Sequence, residues 1–297
     1  MNTIRSIREL RATLQTPRRS EQVIGLVPTM GALHEGHLSL ARQARRECGF
    51  VVVSIFVNPL QFAPHEDFSR YPRRPEEDAA ALEAEEVDVL WAPRPETFYP
   101  SDFSTAVEVG GVSEGGEGAV RPTHFRGVAT VVAKLFLQVQ PDVAVFGRKD
   151  LQQLAVIRRM VRDLDFPVRI AVGETVRDAD GLALSSRNAY LSADERRRAT
   201  ALPRVLFAAR DLARGRLPLP PGEGRGEGVL DPAELARRTR EELERSGLAV
   251  DYVEVVDVET MKPPPSIRSG TALAAAVRVG KTRLIDNVLL MPIGETR

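Results

Sequence analysis

The chain has 297 residues, with 43% hydrophobic and 28% charged side chains, and 41 Lys+Arg against 41 Asp+Glu. That length holds two domains or one large core, and zero formal net charge excludes a global positive field for nucleic acid or an anionic membrane, so any anion site must be local. The single cysteine, Cys48, excludes an intrachain disulfide and a cysteine-rich zinc site.

In chain order, Ile4–Leu14 reads as a helix and the apolar run Val23–Val27 as a buried strand. Charges break Met1–Leu10 where a signal core would sit, and no apolar run approaches membrane-spanning length. A cytoplasmic protein with no membrane partner is expected. Helix Leu38–Cys48, strand Phe50–Val57, helix Glu76–Glu86 and strand Val87–Trp91 follow. Helix Val128–Val139, strand Val143–Phe146, helix Leu151–Leu164 and strand Val168–Val172 continue the alternation. Such alternation predicts an α/β fold: a mostly parallel sheet with helices on both faces, its ligand crevice beyond the carboxyl ends of the strands.

After Asn188 the pattern changes. Ser192-Ala-Asp-Glu195 is a capping box opening a helix toward Ala213. The Pro/Gly-rich stretch 214–228 reads as a mobile surface insertion, since no strand precedes its glycines and the Lys-Ser/Thr ending of a phosphate loop is missing. Asp231 caps a helix to Ser246, and Val250–Val256, Ala272–Val279 and Arg283–Leu290 read as strands of a small α+β domain. The expected domains are 1–180 and 181–297.

Four constellations carry chemistry. Pro28-Thr-Met-Gly-Ala-Leu-His-Glu-Gly-His37 joins a strand to a helix, where unpaired N–H groups and the dipole favour an anion and two imidazoles add donors. A surface turn that happens to hold two histidines is the plainer reading, but the chain has only four. Asn58-Pro-Leu-Gln61-Phe62 ends a strand with amides able to orient a hydroxyl or carboxylate, or is an ordinary Asn-Pro turn. In Val145–Leu154, Lys149 suits a phosphate, Asp150 a ribose hydroxyl or a helix cap, and either Gln152 or Gln153 is expected to face the crevice. Arg177–Asn188 offers Ser185, Ser186 and Arg187 after a tight turn at Asp180-Gly181, or is a polar linker.

Together and in this order, Pro28–His37, Asn58–Phe62, His124–Val132, Phe146–Leu164 and Leu184–Asn188 closely resemble the pantothenate synthetase (pantoate–β-alanine ligase) family. That family lies within the nucleotidyltransferase superfamily with His-x-Gly-His and a Lys-Met-Ser-Lys-Ser-like loop. The likeness is thinner from Tyr252 to Leu290. It implies a Rossmann-like ATP- and pantoate-binding domain, a smaller C-terminal lid domain and a homodimer. It implies ATP and Mg²⁺, a pantoyl-adenylate intermediate, and release of pyrophosphate, AMP and pantothenate.

By the same resemblance His37 is the proton donor, and Met30, Gly31, Ala32, Leu33, His34, Glu35, Gly36 and His37 contact ATP. So do Gly147, Arg148, Lys149, Asp150, Val176, Leu184, Ser185, Ser186 and Arg187. Gln61 and Gln153 hold pantoate, with Gln61 also beside β-alanine; metal ligands stay unassigned. Arg148 stands where Glu or Lys is commoner, and Gly115-Gly116 and Thr123 depart from the usual loop before His124-Phe-Arg-Gly127. A nucleotidylyltransferase keeping its adenylate is the rival enzyme, disfavoured because uncharged Gln61 and Gln153 stand where a phosphorylated acceptor would want a base. A silent nucleotide-binding regulator is the rival from another class, and no basic face supports an RNA partner.

Overall fold

The computed structural model describes residues 1–64, 66–215 and 230–293. In chain order the elements are β1 (Asn2–Ile4), α1 (Ile7–Arg19), β2 (Ile24–Thr29), α2 (Glu35–Glu47), β3 (Phe50–Ile55), α3 (Pro75–Ala84), β4 (Val89–Trp91) and α4 (Pro95–Phe98). Next come α5 (Gly116–Val120), α6 (His124–Val139), β5 (Val143–Gly147), α7 (Leu151–Asp163) and β6 (Arg169–Gly173). The remainder holds α8 (Ala193–Ala199), α9 (Ala201–Ala213), α10 (Pro232–Arg245), β7 (Ala249–Asp257), β8 (Thr271–Val279) and β9 (Thr282–Leu289). Two compact units result: Met1–Val109 with Arg121–Arg148 and Val156–Val176, and Gly110–Val120 with Lys149–Ala155 and the chain from Arg177 onward.

The first unit carries a six-stranded sheet of order β1-β4-β3-β2-β5-β6, parallel at every pairing. Its strands are apolar runs because both faces are covered. Leu90 joins the core formed with Leu40, Ala41 and Ala44 of α2 and Leu82 of α3. The next residue, Trp91, points to the opposite face, where its indole N–H donates to Gln138 Oε1 of α6 at 3.0 Å. From β2 the chain steps outward through β3 to β4, then returns to add β5 on the other side of β2. That reversal between β2 and β5 is the switch point at which such sheets hold ligands.

The second unit is an antiparallel sheet, β7-β8-β9. Leu273, Ala275, Val277 and Val279 of β8 form one core with Leu202, Val205 and Leu206 of α9 and Leu235 and Leu243 of α10. The central strand is rich in alanine and almost wholly buried, as expected where both faces are closely packed. Asp231 accepts from the Ala233 and Glu234 N–H groups and so starts α10 where its sequence predicts.

Several expectations are corrected. Ser6, not Ile4, opens the first helix as its cap, and the helix runs on through the buried Pro17 to Arg19. Pro17 sits in the last turn, where one missing N–H costs a single backbone bond, and Arg18 Nη2 ties that end to Val139 O at 2.5 Å. Residues Asn2–Ile4 instead form an edge strand on β4. The third strand ends at Ile55, short of Val57. The predicted single helix to Ala213 is two helices broken at Thr200, because Pro203 has no N–H for the Ala199 carbonyl. Its capping box, Ser192 with Glu195, is present. Of the Pro/Gly-rich stretch, residues 216–228 lie outside the described residues.

Candidate active site

In the first unit the site grows from the turn after β2. Gly31 has φ +80° and Ala32 φ +50°, left-handed values that turn the chain sharply into α2. Asp78 of α3 holds that shape: its two carboxylate oxygens accept from the Ala32 and Leu33 N–H groups, each at 2.8 Å. Burial pushes the Asp78 carboxyl above its ordinary range, and those two N–H groups oppose the shift. A side chain at Gly31 would stand 2.9 Å from Ile55 Cγ2 and 3.0 Å from Asp78 Oδ2.

The helix here begins three residues earlier than Leu38. His34 is therefore the cap of α2, and Glu35, Gly36 and His37 form its first turn; the His37 N–H donates to His34 O at 2.8 Å, and those of Glu35 and Gly36 come ahead of any intrahelical acceptor. The His34 and His37 rings lie 4.0 Å apart between centroids. The His34 N–H donates to His37 Nδ1 at 3.4 Å, which places the ring proton of neutral His37 on Nε2. Glu35 pairs with Arg42 along the helix. On the neighbouring strand, β5 ends at Gly147, and the Arg148 N–H donates to Gly173 O at 2.8 Å. The Arg148 guanidinium is engaged by Glu174, so its side-chain charge is already matched. Val176 follows half-buried.

Gln61 ends a short 3₁₀ turn after β3. Its Oε1 accepts from Asn58 Nδ2 at 3.0 Å, and its Nε2 reaches Met30 Sδ at 3.1 Å. Asn58 is itself fixed, donating to Gly127 O and accepting from Tyr99 Oη and Leu60 N. The amide orientation follows: Gln61 turns its donor end toward the Met30–His37 loop.

In the second unit Lys149 and Asp150 precede the first turn of α7, with Nζ and Oδ1 3.6 Å apart. Gln152 spends its amide on the 110–120 segment, donating to Val112 O and Gly115 O and accepting from Glu117 N. Gln153 is half-buried and takes no part in these bonds. Leu184, Ser185, Ser186 and Arg187 follow a tight hairpin with Gly181 at φ +85° and an Arg177–Ala183 bridge. Ser185 Oγ accepts from the Arg187 N–H at 3.3 Å and caps the 3₁₀ turn Ser186–Tyr190.

Two adjacent residues of β9 tie these segments together. Asn287 Nδ2 donates to Lys149 O at 2.8 Å, and Asp286 takes the Arg177 guanidinium through both oxygens at 2.7 and 2.9 Å. The Lys149 segment and the serine hairpin are thus fixed to one strand. Sequence reading missed Asp286, Asn287 and Asp78. Asp78 sits in Pro75-Glu-Glu-Asp78, which looks like an ordinary acidic first turn, and nothing local in the sequence marks the other two.

A family model described as pantoate-beta-alanine ligase matches residues 2–289. The pantothenate synthetase of Heliobacterium modesticaldum is 50% identical over 291 residues, covering 98% of this chain and 99% of that one. That of Thermus thermophilus is 50% identical over 295 residues, covering 98% and 100%. A crystal structure of pantothenate synthetase from Thermus thermophilus superposes with a TM-score of 0.89 at 49% identity, covering 98% of this chain and 100% of the other. The pantoate-beta-alanine ligase of Francisella tularensis, crystallised with beta-gamma ATP and beta-alanine, gives 0.78 at 32% identity with 98% of each chain covered.

Proposed function

The chain belongs to the pantoate–β-alanine ligase family, and from that premise we propose how its own residues join pantoate to β-alanine with ATP, releasing AMP and pyrophosphate. The observation that carries the reading is the switch point: β2 and β5 are hydrogen-bonded neighbours, and a nucleotide motif leaves the carboxyl end of each. The reaction passes through a pantoyl adenylate.

Pantoate's carboxylate is ionised at neutral pH, so its attack on the α-phosphorus needs no general base. It needs charge relief, because an anion approaches a polyanion. Donors from the first turn of α2, His34 and His37, together with Lys149, Ser185, Ser186 and Arg187, supply it by position and electrostatics. His37 acts as proton donor through Nε2, consistent with an Nδ1 that accepts from His34. Met30–Gly36, Gly147–Asp150, Val176 and Leu184 make the other ATP contacts. Gln61 offers its Nε2 donor to pantoate, an orientation supported by Asn58 on its Oε1, and Gln153 is the second pantoate ligand.

Among the described residues no group of three or more His, Cys, Asp or Glu could hold a metal ion. Mg²⁺ would come with ATP and supply further charge neutralisation, and Asp150, beside Lys149, would be the carboxylate to hold it. No described helix is long and apolar enough to cross a membrane. The homodimer, the cytoplasmic location and the division into domains at about residue 180 belong to the same proposal.

Pantoate-dependent exchange of labelled pyrophosphate into ATP tests it. Exchange should proceed with pantoate and ATP alone, and exchange that requires β-alanine would sink the adenylate. His37→Ala and Lys149→Ala should each slow exchange by about two to three orders of magnitude, the scale of one lost preorganised donor. Near-normal exchange in either variant would remove that residue from the mechanism.

A further inference from the structure

The His124-Phe-Arg-Gly127 motif has no role in the chemistry above, yet its first and last residues, with Arg121 just ahead of it, converge on the backbone of Gln61. Gln61 O accepts from His124 Nδ1 at 3.0 Å and from Arg121 Nη2 at 3.1 Å. Arg121 is held in turn by Glu66, Nε to Oε1 at 2.7 Å and Nη2 to Oε2 at 2.6 Å. Both side chains of that pair are largely buried, at 15% and 16% exposure. The last residue of the motif completes the seat: a Cβ at Gly127 would stand 2.2 Å from Leu60 O and 2.6 Å from Gln61 N. Asn58 reaches from Gly127 O to Gln61 Oε1.

A single carbonyl taking two donors, one of them a guanidinium locked bidentate to a carboxylate, is a rigid and costly fixture. Burial alone would raise the Glu66 carboxyl, but Arg121 outweighs it and holds the group below its ordinary range, so the pair stays charged through neutral pH. The fixture grips the backbone of the same residue whose side-chain amide meets the substrate. Side-chain placement within about half an ångström is what such supporting contacts provide.

We propose that Arg121, Glu66 and His124 are positioning residues for pantoate: they fix the Gln61 backbone so that its Nε2 donor meets the acid substrate. The inference rests on Gln61 being a pantoate ligand. It assigns the motif to the acid substrate and not to ATP, so the two Michaelis constants should separate.

The test is pyrophosphate exchange at varied pantoate and at varied ATP for the full chain and for Glu66→Gln, Arg121→Lys, His124→Leu and His124→Asn. Glu66→Gln and His124→Leu should raise the pantoate KM about tenfold, the effect of one hydrogen bond to or from a charged or fixed group, with ATP KM unchanged within about twofold. Arg121→Lys keeps the charge but lacks the fork, so its shift should match theirs. His124→Asn restores an N–H near Nδ1 and should recover most of the loss. Equal movement of both constants, or of neither, overturns the inference while leaving the ligase reading intact. Absence of pantoate-dependent exchange in the parent chain overturns both. If a variant loses the fold by thermal melting, the His124→Asn and His124→Leu contrast decides, since failure of the asparagine to rescue also counts against it.

Discussion

At Ala32 the backbone occupies a left-handed region that costs a residue with a side chain about 1 kcal/mol or more. Asp78 offsets that cost with its two hydrogen bonds. The same carboxylate therefore shapes the turn ahead of His34 and His37 from a neighbouring helix. Asp78→Asn keeps the volume but turns one acceptor into a donor that faces an N–H. The turn should loosen, raising KM for ATP by about one order of magnitude while pantoate KM moves less, for loss of a charged hydrogen bond. Steady-state kinetics on both substrates checks it. The pH response gives an independent reading. The folded carboxyl lies above its unfolded value, so the native state binds the proton more tightly, and stability falls as pH rises from about 4 through the folded value. Thermal melts of the parent minus the variant should show that slope, and a flat difference would show that burial does not act on Asp78 this way.

Among elements, close approach separates glycines that look alike in sequence. Gly127 of α6 faces backbone, with Leu60 O at 2.2 Å from a built Cβ, whereas Gly173 of β6 faces the tip of a leucine, Leu40 Cδ2 at 2.1 Å. A leucine can change rotamer and a peptide carbonyl cannot. Gly127→Ala should cost about 3 kcal/mol or abolish folding, and Gly173→Ala about 1 kcal/mol, measured by urea unfolding; equal losses would show that α6 shifts freely. Asp286→Asn leaves the half-buried Arg177 guanidinium facing an amide in place of its carboxylate and should cost about 2–3 kcal/mol by the same unfolding measurement. The strands and most helices were legible because apolar runs and 3.6-residue periodicity are local. Where the reading slipped, a neighbour was responsible: β4 recruits Asn2–Ile4 into the sheet, and Pro203 breaks a helix from three residues beyond the break. The candidate site divides the same way. His34, His37, Gln61 and Lys149 stand out because their own sequence neighbours mark a turn at a strand end. Asp78 and Asp286-Asn287 act on segments far from them in the chain, and no local pattern records that.

For the molecule as a whole, the two halves of the reaction make different demands on protonation. The carboxylate of pantoate is a ready nucleophile at neutral pH, but β-alanine arrives as an ammonium with a pKa near that of other alkylamines, about 10. A base is needed only in the second half. His37 is poorly suited to be that base, because its Nδ1 accepts from the His34 N–H and, in the mechanism proposed, its Nε2 carries the proton offered to phosphate. The Lys149 ammonium lies beside Asp150 and is assigned to the triphosphate. With proton loss left to solvent or to the phosphate of AMP, the fraction of free amine sets the rate of the second step. Pyrophosphate exchange should therefore vary little between about pH 6.5 and 8.5, while AMP release from preformed adenylate at subsaturating β-alanine should rise about tenfold per pH unit there. Rapid-quench measurement of the two steps on one preparation distinguishes the alternatives. A second step that levels off near pH 7 would mean that a protein group with a near-neutral pKa takes the proton, and the search would turn to the residues around Gln61, His124 first.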